Sequence, residues 1–179
     1  MEIAIVSPQT LRMKGKKATF LIDPTTLRTK TETDAVMLYH SNDTFDATKV
    51  VGSRLTIAGP GDYEVSFAKV SATRMGDDIV YQLTVDGLSI LCCPTRVVSK
   101  LKDKLTAPVV VLFADEKVDD IDLAALEADV AVIYGQHAQT LVEKVGKGEG
   151  TKPTATNKFS ITHDKLPEEL QVIWLSSQE

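Results

Sequence analysis

Residues that could bind a metal ion or move a proton are concentrated in and after the stretch YHSNDTFDAT, residues 39–48. His40, Asp43 and Asp46 lie in this stretch, and Asp62 and Glu64 follow it along the chain. Carboxylates with one imidazole favour a hard divalent cation. Their spacing fits no established metal motif, so two interpretations stay open. Either these residues form a non-standard carboxylate site, or His40 ends a strand and Asp46 caps a turn by accepting backbone N–H bonds.

A thiol and a glycine-rich segment offer two other kinds of chemistry. Cys93 could act as a nucleophile beside a histidine, but LSILCC reads as a strand end in which a cysteine is a small buried side chain. Cys92 and Cys93 are adjacent, and a disulfide between neighbours is badly strained, so we expect two free thiols. The segment GKGEGTK, residues 146–152, lacks the order of a phosphate-binding P-loop and predicts a surface loop.

The composition predicts one globular domain, residues 1–179, with 43% hydrophobic and 25% charged residues. A formal net charge of −5 argues against a general nucleic-acid binder, although RMKGKK at residues 12–17 is a local basic patch. No apolar run reaches the roughly 20 residues that span a bilayer, and the first residues do not resemble a signal peptide. We therefore expect no membrane partner and a cytoplasmic location.

Strand patterns dominate the first half of the chain. Short apolar runs predict strands at EIAIV, ATFLI, AVMLY and RLTIA, with RMKGKK as the turn of a hairpin between the first two. A turn at GPGD ends the fourth run, and the alternating segments YEVSFAKVSAT and IVYQLTV predict further strands. Asp86-Gly87 predicts a tight turn into LSILCC.

The second half of the chain adds helices. An apolar stripe predicts a helix from Thr95 to Leu105, DDIDLAALEA predicts a short capped helix, and HAQTLVEKV predicts a helix that ends at Gly146. The segments VVVLF, VAVIY, KFSIT and QVIWL predict strands. Strand meanders followed by alternating helices and strands are typical of a layered α/β or α+β domain.

Several of these segments occur in the order and spacing of a known family. The segments MEIAIV, RMKGKK, LIDP, GPGDYEV, VYQLTVDGLSI and KFSITHDKLPEELQVIWL together resemble the small metallo-β-lactamase-fold proteins that are described as zinc-dependent hydrolases. The resemblance covers nearly the whole chain. It implies a four-layer αββα sandwich, in which two mixed β-sheets are flanked by helices. It also implies a site at one edge, where His and Asp side chains hold one or two metal ions that lower the pKa of bound water.

The metal-ligand positions implied by the resemblance carry other residue types. The family loop S-H-x-H-x-D-H falls on residues 41–47, an Asp is expected at Pro94-Thr95, and a His is expected at Gln136, one residue before His137. A further His is expected after GPGDYEV, where the segment SFAKVSATRMGDD has none. The degenerate positions are Asn42, Thr44, Ala47, Thr95 and Gln136, with Asp46 retained. None of the substituted side chains replaces imidazole as a zinc ligand.

The sequence therefore predicts a metallo-β-lactamase-fold protein that has lost its metal centre, needs no cofactor and serves as a non-catalytic structural, regulatory or binding module. Such a module would form a homo-oligomer or bind a protein partner. One alternative is a hydrolase of phosphoester or lactone bonds that uses carboxylates around Asp43, Asp46 and Glu64. Another is a small-ligand binder with a polar pocket beneath Asn42 and Thr44.

Overall fold

The computed structural model describes residues 1–101, 105–119, 121–145 and 154–177. The strands of the first half are β1 Glu2–Ser7, β2 Thr10–Lys14, β3 Thr19–Ile22, β4 Thr31–Glu32, β5 Ala35–Met37, β6 Val50–Val51, β7 Leu55–Ile57, β8 Gly61–Val65, β9 Ala68–Met75 and β10 Asp78–Val85. The remaining elements are β11 Leu88–Pro94, α1 Val98–Leu101, β12 Val109–Phe113, β13 Val130–Tyr134, α2 Ala138–Val145, β14 Lys158–Ser160 and β15 Gln171–Trp174. Within these ranges, no helix is long and apolar enough to cross a membrane.

Two mixed sheets are formed by these strands. The first has the order β14-β1-β2-β3-β5-β7, and the second has the order β15-β13-β12-β11-β10-β9-β8. Strands β8 to β11 are antiparallel, whereas β11, β12, β13 and β15 are parallel. The short strands β4 and β6 pair separately. Because β11, β12 and β13 are parallel, the segments that follow them leave the sheet at the same edge.

Apolar side chains form two layers. One layer lies between the sheets and includes Phe20 and Met37 of the first sheet and Ile79 and Val111 of the second. The other lies on the outer face of the second sheet, where β11 to β13 pack against α1, α2 and the chain between them. All five residues of β12 are buried, as expected for a strand covered on both faces. The predicted layered fold of two mixed sheets is confirmed.

Two strand predictions were wrong in detail. Arg12–Lys14 is not part of a turn but the second half of β2, with Met13 in the core and Arg12 and Lys14 facing outward, so that only Gly15 to Lys17 turn toward β3. The segment YEVSFAKVSAT is not one strand but a hairpin. Its turn residues Ser66 and Phe67 both have positive φ, 48° and 70°, and they separate β8 from β9.

The predicted helices are shorter than expected. A 3-10 turn at Thr95–Val97 leads into α1, and the rest of the predicted helix up to Leu105 is interrupted by residues 102–104, outside the described ranges. Among the described residues of DDIDLAALEA, a 3-10 turn at Ala124–Leu126 replaces the predicted helix, and Glu127 ends it at a φ of 53°. Helix α2 agrees with its prediction, but Gly146 and the whole of GKGEGTK lie outside the described residues.

We expect Gly135→Ala to lower the free energy of unfolding by about 2 kcal/mol. Gly135 follows β13 with a φ of 108°, and a Cβ there would lie 2.7 Å from the carbonyl oxygen of Ala114. Urea denaturation would measure the change. Gly59→Ala is the matched control, because a Cβ at Gly59 meets nothing within 4 Å. Equal stability of the two variants would contradict the prediction.

Candidate functional site

A group of polar and charged residues lies at the edge where β11, β12 and β13 end. Arg96 follows β11, Asp115 follows β12 and Gln136 follows β13. The antiparallel strand β10 begins at this edge with Asp78. His40 comes from the segment after β5 of the first sheet and forms an isolated β-bridge with Asp78. The edge therefore brings together side chains from both sheets.

The guanidinium of Arg96 is the centre of this group. Its Nε donates to Oδ2 of Asp78 at 2.9 Å, and its Nη2 donates to Oδ1 of the same carboxylate at 2.5 Å. Nη2 also donates to Nε2 of His40 at 2.7 Å, and Nη1 donates to Oδ2 of Asp115. The two parallel bonds to Asp78 are the bidentate arrangement in which arginine and carboxylate interact most strongly. Glu116, whose side chain is 55% exposed, lies 3.9 Å from Nε.

The contacts of His40 define its tautomer. Because an arginine N–H can only donate, the bond from Nη2 requires Nε2 of His40 to be the acceptor. The proton therefore lies on Nδ1, which is 3.3 Å from Oδ1 of Asp78 and 3.3 Å from the carbonyl oxygen of Asp77. His40 thus directs its lone pair at a cation while a carboxylate and a carbonyl hold its other nitrogen.

The charged side chains of this group are shielded from solvent, which strengthens the interactions between them. The Asp78 side chain is 7% exposed and that of Arg96 is 22% exposed. Burial by itself would lower the pKa of Arg96, but hydrogen bonds and charges from Asp78 and Asp115 raise it above its ordinary value, so the guanidinium stays charged. Oδ1 of Asp115 and the hydroxyl of Thr95 are buried and have no hydrogen-bond partner among the described residues.

Aromatic rings and one buried carboxyl group lie in the core near the site. Tyr39, Phe113 and Tyr134 stack, with centroid distances of 5.7 Å and 5.1 Å. Asp23, 3% exposed, accepts a 2.9 Å bond from the backbone N–H of Tyr39, the residue before His40. Burial raises the pKa of Asp23 to about 7, although the bond from Tyr39 opposes the shift. Asp23 has a positive φ of 45°, and its side chain is buried.

The positions implied by the family resemblance do not form a metal site. Asn42, Thr44 and Ala47 are exposed, and Gln136 donates to the backbone oxygen of Asp115 at 2.7 Å. Asp46 caps the 3-10 turn Ala47–Lys49, accepting from the N–H and the hydroxyl of Thr48, and these bonds lower its pKa. The capping interpretation of Asp46 is therefore confirmed.

The other candidates are dispersed as well. Asp62 and Glu64 line a groove of about 540 Å³ together with β9 to β11 residues, and neither Asp43 nor Asp46 lines it. Cys93 is buried, and burial raises the pKa of its thiol to about 12, so it is not a thiolate near neutral pH. Among the described residues, no group of three or more His, Cys, Asp or Glu side chains could hold a metal ion.

Sequence reasoning missed Asp78, Arg96 and Asp115. A usable signal was present, because each is a charged residue at the end or start of a buried apolar strand. Arg96 follows ILCCPT, and Asp115 follows VVVLFA. Arg96 and Asp115 could have been grouped once β11 and β12 were taken as parallel neighbours, and Asp78 could have been added once β10 was paired antiparallel with β11.

No protein-family model matches the sequence, and no curated protein sequence matches it. A structure from Thermotoga maritima, described as a candidate zinc-dependent hydrolase of the metallo-β-lactamase superfamily, has a TM-score of 0.75 at 16% identity over 98% of both chains. The metallo-β-lactamase fold protein YhfI from Bacillus subtilis has a TM-score of 0.54 at 8% identity, over 98% of this chain and 96% of its own. The chain has the metallo-β-lactamase fold.

A third structure extends the comparison. A CmlA β-hydroxylase variant has a TM-score of 0.53 at 12% identity, over 89% of this chain and 53% of its own. At these identities the likeness concerns the metallo-β-lactamase fold alone. The description of the T. maritima protein implies zinc, but the residues here do not fit a zinc ion. The acidic and imidazole groups at the edge are bound to a guanidinium, and they surround its plane instead of converging on one point.

We expect Asp23→Asn to flatten the pH dependence of stability. Because the folded pKa of Asp23, about 7, exceeds its ordinary value of 3.8, the folded state prefers the protonated form. Its contribution to stability is complete below pH 4 and falls as the pH rises toward 7, by about 2 to 3 kcal/mol between pH 5 and pH 8. Asparagine keeps the acceptor for the N–H of Tyr39 and does not titrate.

Urea denaturation of both proteins at pH 5, 6, 7 and 8 would measure the effect. The stability of the wild-type protein should fall more steeply than that of Asp23→Asn across this range. Parallel curves would show that Asp23 titrates in the folded protein as it does in the unfolded chain.

Proposed function

We propose that this protein is a metal-independent, non-catalytic member of the metallo-β-lactamase fold, acting as a structural, regulatory or binding module. The observation that supports this most is the guanidinium of Arg96 at the strand-end edge, bonded to His40, Asp78 and Asp115. Arg96 directly follows Thr95, the position at which the family resemblance implies a metal-ligand Asp.

Electrostatics supports the proposal, because a divalent ion at this edge would have to share the carboxylates with a cation already in place. A divalent ion about 4 Å from the guanidinium would meet about 8 kcal/mol of repulsion at an effective dielectric constant of 20, which attraction to Asp78 and Asp115 would have to offset while both carboxylates remain bonded to Arg96. Arg96 cannot reduce this cost by losing a proton, since the neighbouring carboxylates raise its pKa.

The side chains that could act without a metal also favour a non-catalytic role. Asp46 is an exposed carboxylate engaged with Thr48, and its lowered pKa makes it a weak base. Cys93 is buried as a protonated thiol. Four grooves of about 330 to 540 Å³ are formed by described residues, and none of these four has Asn42, Thr44 or Arg96 in its lining.

A non-catalytic module acts through contacts, and we propose self-association or a protein partner for it. Phe67 supports this proposal: it is 80% exposed at the β8–β9 turn, with Nζ of Lys17 4.3 Å from the ring centroid. Its positive φ strains the backbone, and its ring, being exposed, adds no hydrophobic stabilisation to the folded chain. Exposed aromatic side chains are often the residues that contribute most to protein contacts.

We expect the purified protein to bind no metal stoichiometrically. Elemental analysis after incubation with zinc, manganese or iron and exhaustive dialysis should find far less than one ion per chain. Asp46→Ala should give the same result, because Asp46 serves as a cap. One ion per chain in the wild-type protein and none in Asp46→Ala would support the hydrolase alternative, and phosphoester and lactone substrates would then be screened.

We expect Phe67→Gly to stabilise the monomer while weakening its association with a second chain. Glycine relieves the positive φ and should raise the free energy of unfolding by about 1 kcal/mol. Ser66→Gly is the matched control, because it relieves a positive φ at the neighbouring residue and leaves the ring in place. Sedimentation velocity should show weaker association for Phe67→Gly only. Equal association of both variants would exclude Phe67 as a contact residue.

A further inference from the structure

We propose that His40, Asp78 and Asp115 form a guanidinium-binding site that the chain fills with its own Arg96. The inference rests on the proposed function, since it explains what replaces a metal ion at this edge of the fold. The ligand class that the site selects is a planar cation with several N–H donors.

The positions of the acceptors match the shape of a guanidinium. The Asp78 carboxylate accepts two parallel hydrogen bonds along one edge of the guanidinium, from Nε and Nη2. His40 takes a bond from Nη2, and Asp115 takes one from Nη1. Four of the five N–H groups of Arg96 therefore donate hydrogen bonds to acceptors around the edges of the guanidinium. A spherical ion would need these acceptors to converge on one point.

His40 adds a neutral acceptor to the two carboxylates of the site. Its lone pair on Nε2 is directed at the guanidinium, and its Nδ1–H faces the carboxylate of Asp78 and the carbonyl of Asp77. In metal sites, a carboxylate that holds the second nitrogen of a histidine orients the imidazole toward the bound ion, and the contacts of Nδ1 orient His40 toward the guanidinium in the same way.

The charges agree with this interpretation. Asp78 and Asp115 supply two negative charges to one guanidinium, and Oδ1 of Asp115 has no described donor. Loss of the Arg96 side chain would leave the buried Asp78 carboxylate uncompensated. The vacated site would then attract a soluble cation, and the geometry of its acceptors would favour guanidinium.

The test is rescue of Arg96→Ala by free guanidinium. We expect the substitution to lower the thermal midpoint by about 10 °C. Guanidinium chloride at about 10 to 20 mM, far below denaturing concentrations, should recover at least half of this loss saturably and should leave the wild-type midpoint unchanged. Equal concentrations of urea, which has the same shape without the charge, and of sodium chloride should recover none.

Each other outcome overturns the proposal. An unchanged midpoint in Arg96→Ala would show that the cluster stabilises nothing. Equal rescue by sodium chloride would indicate ionic screening, and equal rescue by manganese chloride at matched ionic strength would show that the acceptors select charge and not a planar donor. Asp78→Asn combined with Arg96→Ala is the matched control, in which rescue should disappear.

The wild-type protein allows a second test that does not depend on the folding of a variant. Nitrogen-15 NMR of the His40 ring at neutral pH should show a proton on Nδ1 and a lone pair on Nε2. A proton on Nε2 would overturn the proposal. These results are separate from the metal analysis above, since a wild-type protein that binds zinc would refute the proposed function whatever the rescue experiment gave.

Discussion

The bonds of the Arg96 guanidinium connect parts of the chain that are far apart in sequence. They join the segment after β5 in the first sheet to the start of β10 and the ends of β11 and β12 in the second. Other directional bonds also join the two sheets: the N–H of Ile79 donates to the carbonyl oxygen of Tyr39 at 2.8 Å, and the hydroxyl of Tyr81 is within hydrogen-bond distance of the carbonyl oxygens of Leu38 and Ile57. The charge-assisted bonds of Arg96 act together with these bonds to place the His40 segment over the second sheet.

The core near the site limits how this edge can change. Tyr39 precedes His40, and its ring stacks on Phe113, two residues before Asp115. A shift of His40 away from Arg96 would therefore disturb the aromatic stack and the bond from Tyr39 to Asp23. Because burial raises the pKa of Asp23 to about 7, its carboxyl group is mostly neutral below pH 7 and adds negative charge beneath the cluster as the pH rises further. The placement of His40 therefore depends on this part of the core.

Much of the fold could be predicted from the sequence. Short, continuous apolar runs such as residues 109–113 and 130–134 are typical of strands buried on both faces. The turn at Ser66 and Phe67 could not be predicted, since neither residue favours positive φ and tertiary pairing imposes it. The cap at Asp46 followed from local chemistry. The Arg96 cluster did not, because its members are separated by up to 75 residues and meet through three separate pairings: β10 with β11, β11 with β12, and His40 with Asp78.

The fold and its chemistry are therefore separable in this protein. The metallo-β-lactamase fold gathers strand ends at one edge, and whatever polar residues follow those strands will meet there. A metal ion and a guanidinium both neutralise acidic groups at such an edge, but only the ion has open coordination positions for water. Arg96 uses its N–H groups on protein acceptors and leaves at most one free for a substrate. The same edge can hold the sheets together without activating water, as the proposed function requires.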